Sequence, residues 1–293
     1  MEWFTSIPQF LAGGLAIGAV YGLIGAGFSL IFNTSKVINF AQGQFVVYGG
    51  LIAVSLLATG APKSLGLPLA VVICVLLGGA LQILLNASRR GSNELSYIMV
   101  TIGVGIAMQG VAHQIWGTDY LTFSLYPEGV FRLMGAAVSF GTFAILGVTF
   151  FVCLLLWWFL YRTLIGKAMR ACANNPTAAL TVGIRPRRMI LGAYLASGAL
   201  GGLAGVMVTP TSMMSAEFGV LLGIKGFTAA IVGGLTNPFG AVMGGLLLGL
   251  VEGLCVGVIS SDLQDVYSFI VLLFVLLLRP QGLFSGVSIG SSR

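Results

Sequence analysis

The chain has 293 residues, 57% of them hydrophobic and only 8% charged, with a mean hydropathy of +1.03. Soluble domains carry about 25% charged residues, so this composition excludes one and points to an integral membrane protein. The net charge of +6 sits in short loops between apolar runs, which indicates membrane orientation rather than nucleic-acid binding.

The first ten residues, MEWFTSIPQF, place no basic residue ahead of the first apolar run and include Glu2. That is not a signal-peptide pattern, so the first run is expected to stay as a span. A spanning helix needs about 20 mostly apolar residues. Eight runs are read as spans: 9–32, 39–59, 66–88, 95–116, 138–161, 187–208, 238–259 and 264–279. The glycine-rich segment 219–236 is shorter and either crosses or re-enters. Such run lengths exclude a β-barrel, whose strands alternate over about 10 residues. The expected fold is all-α: one polytopic transmembrane bundle over 1–293, with about eight spans plus one short or re-entrant segment. The 43 glycines follow no collagen period and suit helices that pack closely in lipid. Cys74, Cys153, Cys172 and Cys255 form no C-x-x-C pair and read as small buried hydrophobes, without a metal or disulfide.

Orientation follows from the basic loops. Lys36, Arg89, Arg90, Arg162, Lys167, Arg170, Arg185, Arg187, Arg188, Arg279 and Arg293 fall on one side. The other side holds Lys63, Arg132 and Lys225, with the acids Glu2, Asp119, Glu128, Glu217, Asp262 and Asp265. The bias puts residues 162–187 and the C-terminus in the cytoplasm, with the N-terminus outside if 219–236 crosses. Trp157, Trp158 and Tyr161 beside Arg162, and Trp116 with Tyr120, mark the two interfaces.

One polar stretch interrupts the apolar chain: RACANNPTAALTVGIRPRRM, residues 170–189. Asn174, Asn175 and Pro176 form a helix start, an Asn cap with Pro at the first helical position. Gly183 supplies a left-handed C-cap, and Pro186 stops the helix. A helix of two turns is unstable alone in water. Ala178, Ala179, Leu180 and Val182 need a surface, either a partner with a groove or the headgroup layer itself. GKAMRAC, residues 166–172, adds a second amphipathic stretch before it.

Two places inside the apolar runs are irregular. INFAQGQF at 38–45 brings Asn39, Gln42, Gly43 and Gln44 to the start of a span, where Gly43 can break the helix. GGLTNPFG at 233–240 brings Gly233, Gly234 and Asn237. Irregular backbone at membrane depth is tolerated where it lines a cavity or is buried in protein. Broken helices offer both signs of partial charge to a zwitterion. These residues, with Glu252, are the candidate translocation path; a plain turn at a helix start is the alternative for both breaks. Residues 39–57 and 237–254 echo each other, each running from Asn and Phe through a glycine pair into an apolar helix. Glu252 is an acid deep in an apolar run. It is either a proton-coupling group or a hydrogen-bonded structural acid. His113, near a helix end and without further ligands, reads as interfacial.

Four segments carry a family resemblance: the 170–189 loop, TSKVINFAQGQF at 34–45, GFTAAIVGGLTNPFGAVMGGLLLGLVEGL at 226–254, and RPQGLF at 279–284. In order and spacing they resemble the high-affinity branched-chain amino acid permeases of ABC importers, over essentially the whole chain. Many relatives place His at position 42 and an acid at position 44, where this chain has Gln42 and Gln44; that weakens a protonation role there. The resemblance implies a bacterial inner-membrane protein paired with a second, homologous permease. Two cytoplasmic ATP-binding subunits using ATP and Mg would drive it, and a periplasmic substrate-binding protein would load it. Within the 162–188 cytoplasmic loop, Arg170, Ala171, Asn174, Asn175, Pro176, Ala178, Ala179, Gly183 and Ile184 would form the coupling helix region.

The chain's own negatives agree. It has no G-x-x-x-x-G-K-[ST]; GAPKS at 60–64 and IGKAM at 165–169 lack the spacing or the hydroxyl. No enzyme activity, cofactor or metal site of its own is expected. A self-contained secondary transporter or channel would usually carry more intramembrane charge than Glu252 supplies. An intramembrane enzyme lacks G-x-S-x-G and H-E-x-x-H. Apolar amino acids fit a path poor in charge; urea, short amides and other small solutes fit it too.

Overall fold

The computed structural model describes residues 2–87, 94–127, 129–133, 136–258, 261 and 263–284. Arg89, Arg90, Glu128, Asp262 and Arg293 lie outside the described residues. The helices in chain order are α1 (Glu2–Ser35), α2 (Gln42–Ala58), α3 (Lys63–Ala87), α4 (Glu94–Trp116), α5 (Phe140–Arg162), α6 (Leu164–Asn174), α7 (Pro176–Thr181), α8 (Pro186–Ser212), α9 (Phe218–Gly233), α10 (Pro238–Val258) and α11 (Gln264–Leu278). Six of them are long and apolar enough to cross a membrane, and α2, α9 and α11 are shorter apolar helices. Between α4 and α5 lies an antiparallel hairpin that the sequence reading lacked, β1 (Val130–Leu133) with β2 (Ala136–Ser139). Ser139 ends it and caps α5, its hydroxyl accepting from the Thr142 N–H at 3.4 Å.

The spine of the bundle is the α1–α10 pair, built on glycine. Gly14 and Gly18 of α1 lie against Gly249 and Gly245 of α10, so close that a Cβ on Gly14 would stand 2.4 Å from the Gly249 carbonyl oxygen. In lipid, where apolar surface gains little by leaving its solvent, such backbone approach maximises dispersion contact. The same device joins α3 to α8, where Gly78 meets the Tyr194 carbonyl and Gly198 meets that of Cys74.

The two ends of the bundle are distinct. At the end bearing α6 and α7, the basic end, Asn33 Nδ2 donates to the Thr236 carbonyl at 2.7 Å. The Tyr161 and Phe239 rings pair there at 6.3 Å. At the opposite end Leu121 and Met214 exchange backbone hydrogen bonds of 2.8 Å. Trp116 Nε1 donates to Ser55 Oγ at 2.6 Å. Segment 219–236 therefore runs one way, from the Met214 side toward the basic end, and does not turn back.

Two helices start inside the bundle. Gln42, the first residue of α2, bonds Ser197 half-way along α8. Met214, Ser215 and Ala216, which lead into α9, are all buried. α2 leaves this level toward the opposite end and α9 toward the basic end, and their first turns touch. A Cβ on Gly43 would lie 1.9 Å from the Gly219 carbonyl oxygen. Gly43 thus does not break a helix; it lets α2 and α9 meet. The irregular stretch lies just before it, at 36–41.

Lys225 is not in an outer loop. It lies within α9 with its side chain 5% exposed, because its charge is met inside the bundle.

Candidate functional site

The predicted short helix forms at the basic end. Asn175 Oδ1 accepts from the Thr177 and Ala178 N–H groups at 3.1 and 3.0 Å, with Pro176 at the first position of α7. Gly183 adopts φ +83°, and the Ile184 N–H reaches back to the Ala179 carbonyl at 3.0 Å. The helix is thus closed at both ends by the residues that mark them in sequence. It is propped by α6, which packs on α5, α8 and α1 and buries Gly166, Met169 and Cys172. Burial pushes the Cys172 thiol up from its ordinary pKa. Arg170 turns inward: Nε donates to the Leu160 carbonyl at 3.1 Å and the guanidinium lies 4.3 Å from the Tyr161 ring. Ala179 is buried and Ala171 and Ile184 partly so, whereas Asn174, Asn175, Pro176, Ala178 and Gly183 are exposed. Beside them Leu180 and Val182 are 56% and 73% exposed. Leu164 and Ile165, which sequence reasoning passed over, add 83% and 55%. The result is an apolar tip at the basic end, capped at both ends of α7.

The residues read as a translocation path fall into three separate places. At the basic end, Gly234 with φ +105° ends α9, and Asn237 starts α10, its Oδ1 accepting from the Phe239 N–H at 3.1 Å. The RPQGLF segment closes over this turn: the Leu283 and Phe284 N–H groups donate to the carbonyls of Val232 and Gly233 at 2.8 and 3.2 Å. Asn39 makes the same local bond as Asn237, its Oδ1 accepting from the Ala41 N–H at 3.1 Å.

The second place is the level where α2 and α9 begin. Gln42 is fully buried and locked to α8: Ser197 Oγ donates to its Oε1 at 2.6 Å, and its Nε2 donates to the Ser197 carbonyl at 3.2 Å. Gln44 differs. It is 3% exposed, its Oε1 accepts no hydrogen bond, and it lines a cavity of about 220 Å³. The other walls come from Phe28, Phe40, Gln109, Phe227, the α4 residues Ile102 and Ile106 and the α9 residues Val220 and Ile224, with Gly105 and Gly223 between them.

The third place lies between α1, α9, α10 and α11. The Glu252 carboxylate, 1% exposed, accepts from Tyr21 Oη at 3.1 Å, from Gln264 Nε2 at 3.2 Å and from Ser268 Oγ. Lys225 Nζ stands 3.1 Å from Glu252 and 2.8 Å from Asp265. A buried carboxylate is costly unless paired and hydrogen-bonded, and here it is both. Its partners were missed because they lie on other helices, Tyr21 on α1, Lys225 on α9, and Gln264 and Ser268 on α11. Among the described residues no group of His, Cys, Asp and Glu could hold a metal ion.

A model of the family described as branched-chain amino acid transport system / permease component matches residues 10–276. The chain belongs to that family. This permease is 30% identical over 290 residues to the high-affinity branched-chain amino acid transport system permease protein BraD of Pseudomonas aeruginosa, covering 94% of each chain. It is 31% identical over 291 residues to a probable branched-chain amino acid transport permease protein LivH of Methanocaldococcus jannaschii, covering 94% of this chain and 91% of that one. Among solved structures, a chain of PsaBC from Streptococcus pneumoniae in complex with Fab superposes with a TM-score of 0.53 at 13% identity, covering 96% of each. That likeness bears on the fold alone, an all-helical bundle.

Proposed function

We propose that this permease forms, with a second permease subunit, the membrane path of an ATP-driven importer for amino acids with apolar side chains. Two ATP-binding subunits dock on its basic end, which faces the cytoplasm together with the C-terminus. A periplasmic binding protein delivers substrate at the opposite end. The bacterial inner membrane is the site of action.

The observation that carries this reading is the tip made by α6 and α7. A helix of six residues has no independent stability, yet here it is capped at both ends and braced by Arg170 against α5. It presents Leu180 and Val182 outward. Such a tip suits a groove in a soluble partner, and its bracing lets a push on α7 reach α5 and α8 as rigid-body motion. The branched-chain substrates named for the relatives support the substrate class, as does the largely apolar lining of the cavity beside Gln44.

The test is co-purification. Tagged permease expressed with its neighbouring subunits should retain the ATPase, and Leu180→Asp with Val182→Asp should release it while the permease still inserts. Retention of the ATPase by that double variant would move the docking surface elsewhere.

A further inference from the structure

We infer that the cavity at the meeting point of α2 and α9 is a selectivity site of the permease itself. It takes one zwitterionic amino acid, with the ammonium donating to Gln44 Oε1 and the carboxylate turned to the first turns of the two helices. The apolar side chain lies among Ile102, Ile106, Val220 and Ile224. This deepens, and rests on, the permease reading above.

Three independent features converge there. The first is a buried acceptor without a donor. An amide oxygen withdrawn from water and unpaired is costly; Gln44 Oε1 is in that state, and Gln44 is one of the residues lining the cavity. Gln42, two residues away, shows what a structural glutamine looks like here, since Ser197 satisfies it. The second is electrostatic. α2 and α9 both begin beside this cavity, and neither Ala41 nor Glu217, the residues before them, caps its helix with a side chain. Two helix N-termini carry partial positive charge toward the same level of the bundle, which favours a carboxylate. The third is size. At about 220 Å³ the cavity is smaller than the roughly 300–1,000 Å³ of sites for drug-sized ligands, so it suits a solute of a few heavy atoms. One side is open, where Ile102, Ile106, Val220 and Ile224 are exposed; the second permease subunit would close it.

Two glycines on the wall give a graded test. An added Cβ at Gly223 would meet Gly43 Cα at 3.4 Å, and one at Gly105 would meet Ala41 Cα at 3.6 Å, both ordinary contacts. Gly223→Ala and Gly105→Ala therefore shrink the cavity without forcing the backbone. Gly147→Ala on α5, where a Cβ meets nothing within 4 Å, is the bulk control.

The experiment uses the complete transporter with its binding protein in proteoliposomes and measures leucine and alanine uptake. The two cavity variants should lower the leucine-to-alanine ratio of kcat/KM by about ten-fold, the discrimination that one methylene supplies in an apolar pocket. The Gly147→Ala control should keep the wild-type ratio. Gln44→Leu should lose uptake of both amino acids, and Gln44→Glu, which keeps an acceptor, should restore it. Assembly of each variant is read by co-purification. An unchanged ratio in both glycine variants, or no rescue by Gln44→Glu, would overturn the site while leaving the permease reading intact. Failure of the wild-type transporter to import either amino acid would overturn the substrate class, and this site with it.

Discussion

Lys225 of α9 and Glu252 of α10 form an ion pair of 3.1 Å with both side chains at least 95% withdrawn from solvent. Asp265 of α11 shares the lysine at 2.8 Å, and Tyr21 of α1 donates to the glutamate. Four helices are thus tied at one point. Such a pair adds little over an apolar substitute, but a half-pair is costly, about 3–5 kcal/mol. Lys225→Met alone and Glu252→Gln alone should each lower the thermal unfolding midpoint of the detergent-solubilised complex. The double variant should recover part of the loss. If the double variant is as damaged as the sum of the singles, the two residues act independently and the pair is not the cause.

Gln42 and Ser197 make the second test. Ser197→Ala leaves the Gln42 Oε1 without its donor, at a cost of about 1–3 kcal/mol. The prediction is a lower unfolding midpoint with substrate KM unchanged. A change in KM without loss of stability would instead place Gln42 on the solute's route.

The glycine seam predicts a sharp positional contrast. Gly249→Leu puts carbon where the Gly14 carbonyl oxygen lies 2.2 Å from the site of a Cβ, whereas a Cβ at Gly13 meets nothing within 4 Å. Membrane accumulation should fail for Gly249→Leu and stay at the wild-type level for Gly13→Ala, as read by blotting of membrane fractions.

At the tip, Asn175→Ala removes the side-chain acceptor of two N–H groups, worth about 1 kcal/mol of helix stability. Gly183→Ala strains a residue held at φ +83°. Both should reduce uptake per ATP hydrolysed while insertion persists. Uptake and hydrolysis falling together in proportion would argue against loss of coupling.

Orientation is checked by chemistry at Thr177, which is exposed on α7. In a background with the native cysteines replaced, Thr177→Cys should react with an impermeant maleimide only when the cytoplasmic face is open. Labelling of intact cells from outside would invert the assigned topology.

Much of this architecture is legible in the chain. Run length and hydropathy place the long helices within a few residues, because a bilayer leaves few other options. The caps of α7 are legible because Asn-Pro and Gly act on their own backbone. What depends on contacts between distant segments is not. Lys225 reads as a loop lysine until Glu252 and Asp265 are seen beside it. Gln42 and Gln44 are indistinguishable amides in sequence, and Ser197 alone decides that one is satisfied. The depth at which α2 and α9 start is equally hidden, since it is fixed by packing on α8 and α1. The hairpin of β1 and β2 is too short for its period to stand out.

The RPQGLF segment, bonded over the turn between α9 and α10, has a consequence for how the protein can be handled. Its amides are the donors for Val232 and Gly233, so it acts as a buckle across a turn that lies earlier in the chain. Trimming back through Leu283 would remove those donors and should leave α9 and α10 poorly joined, whereas fusions placed beyond Phe284 leave the buckle fastened.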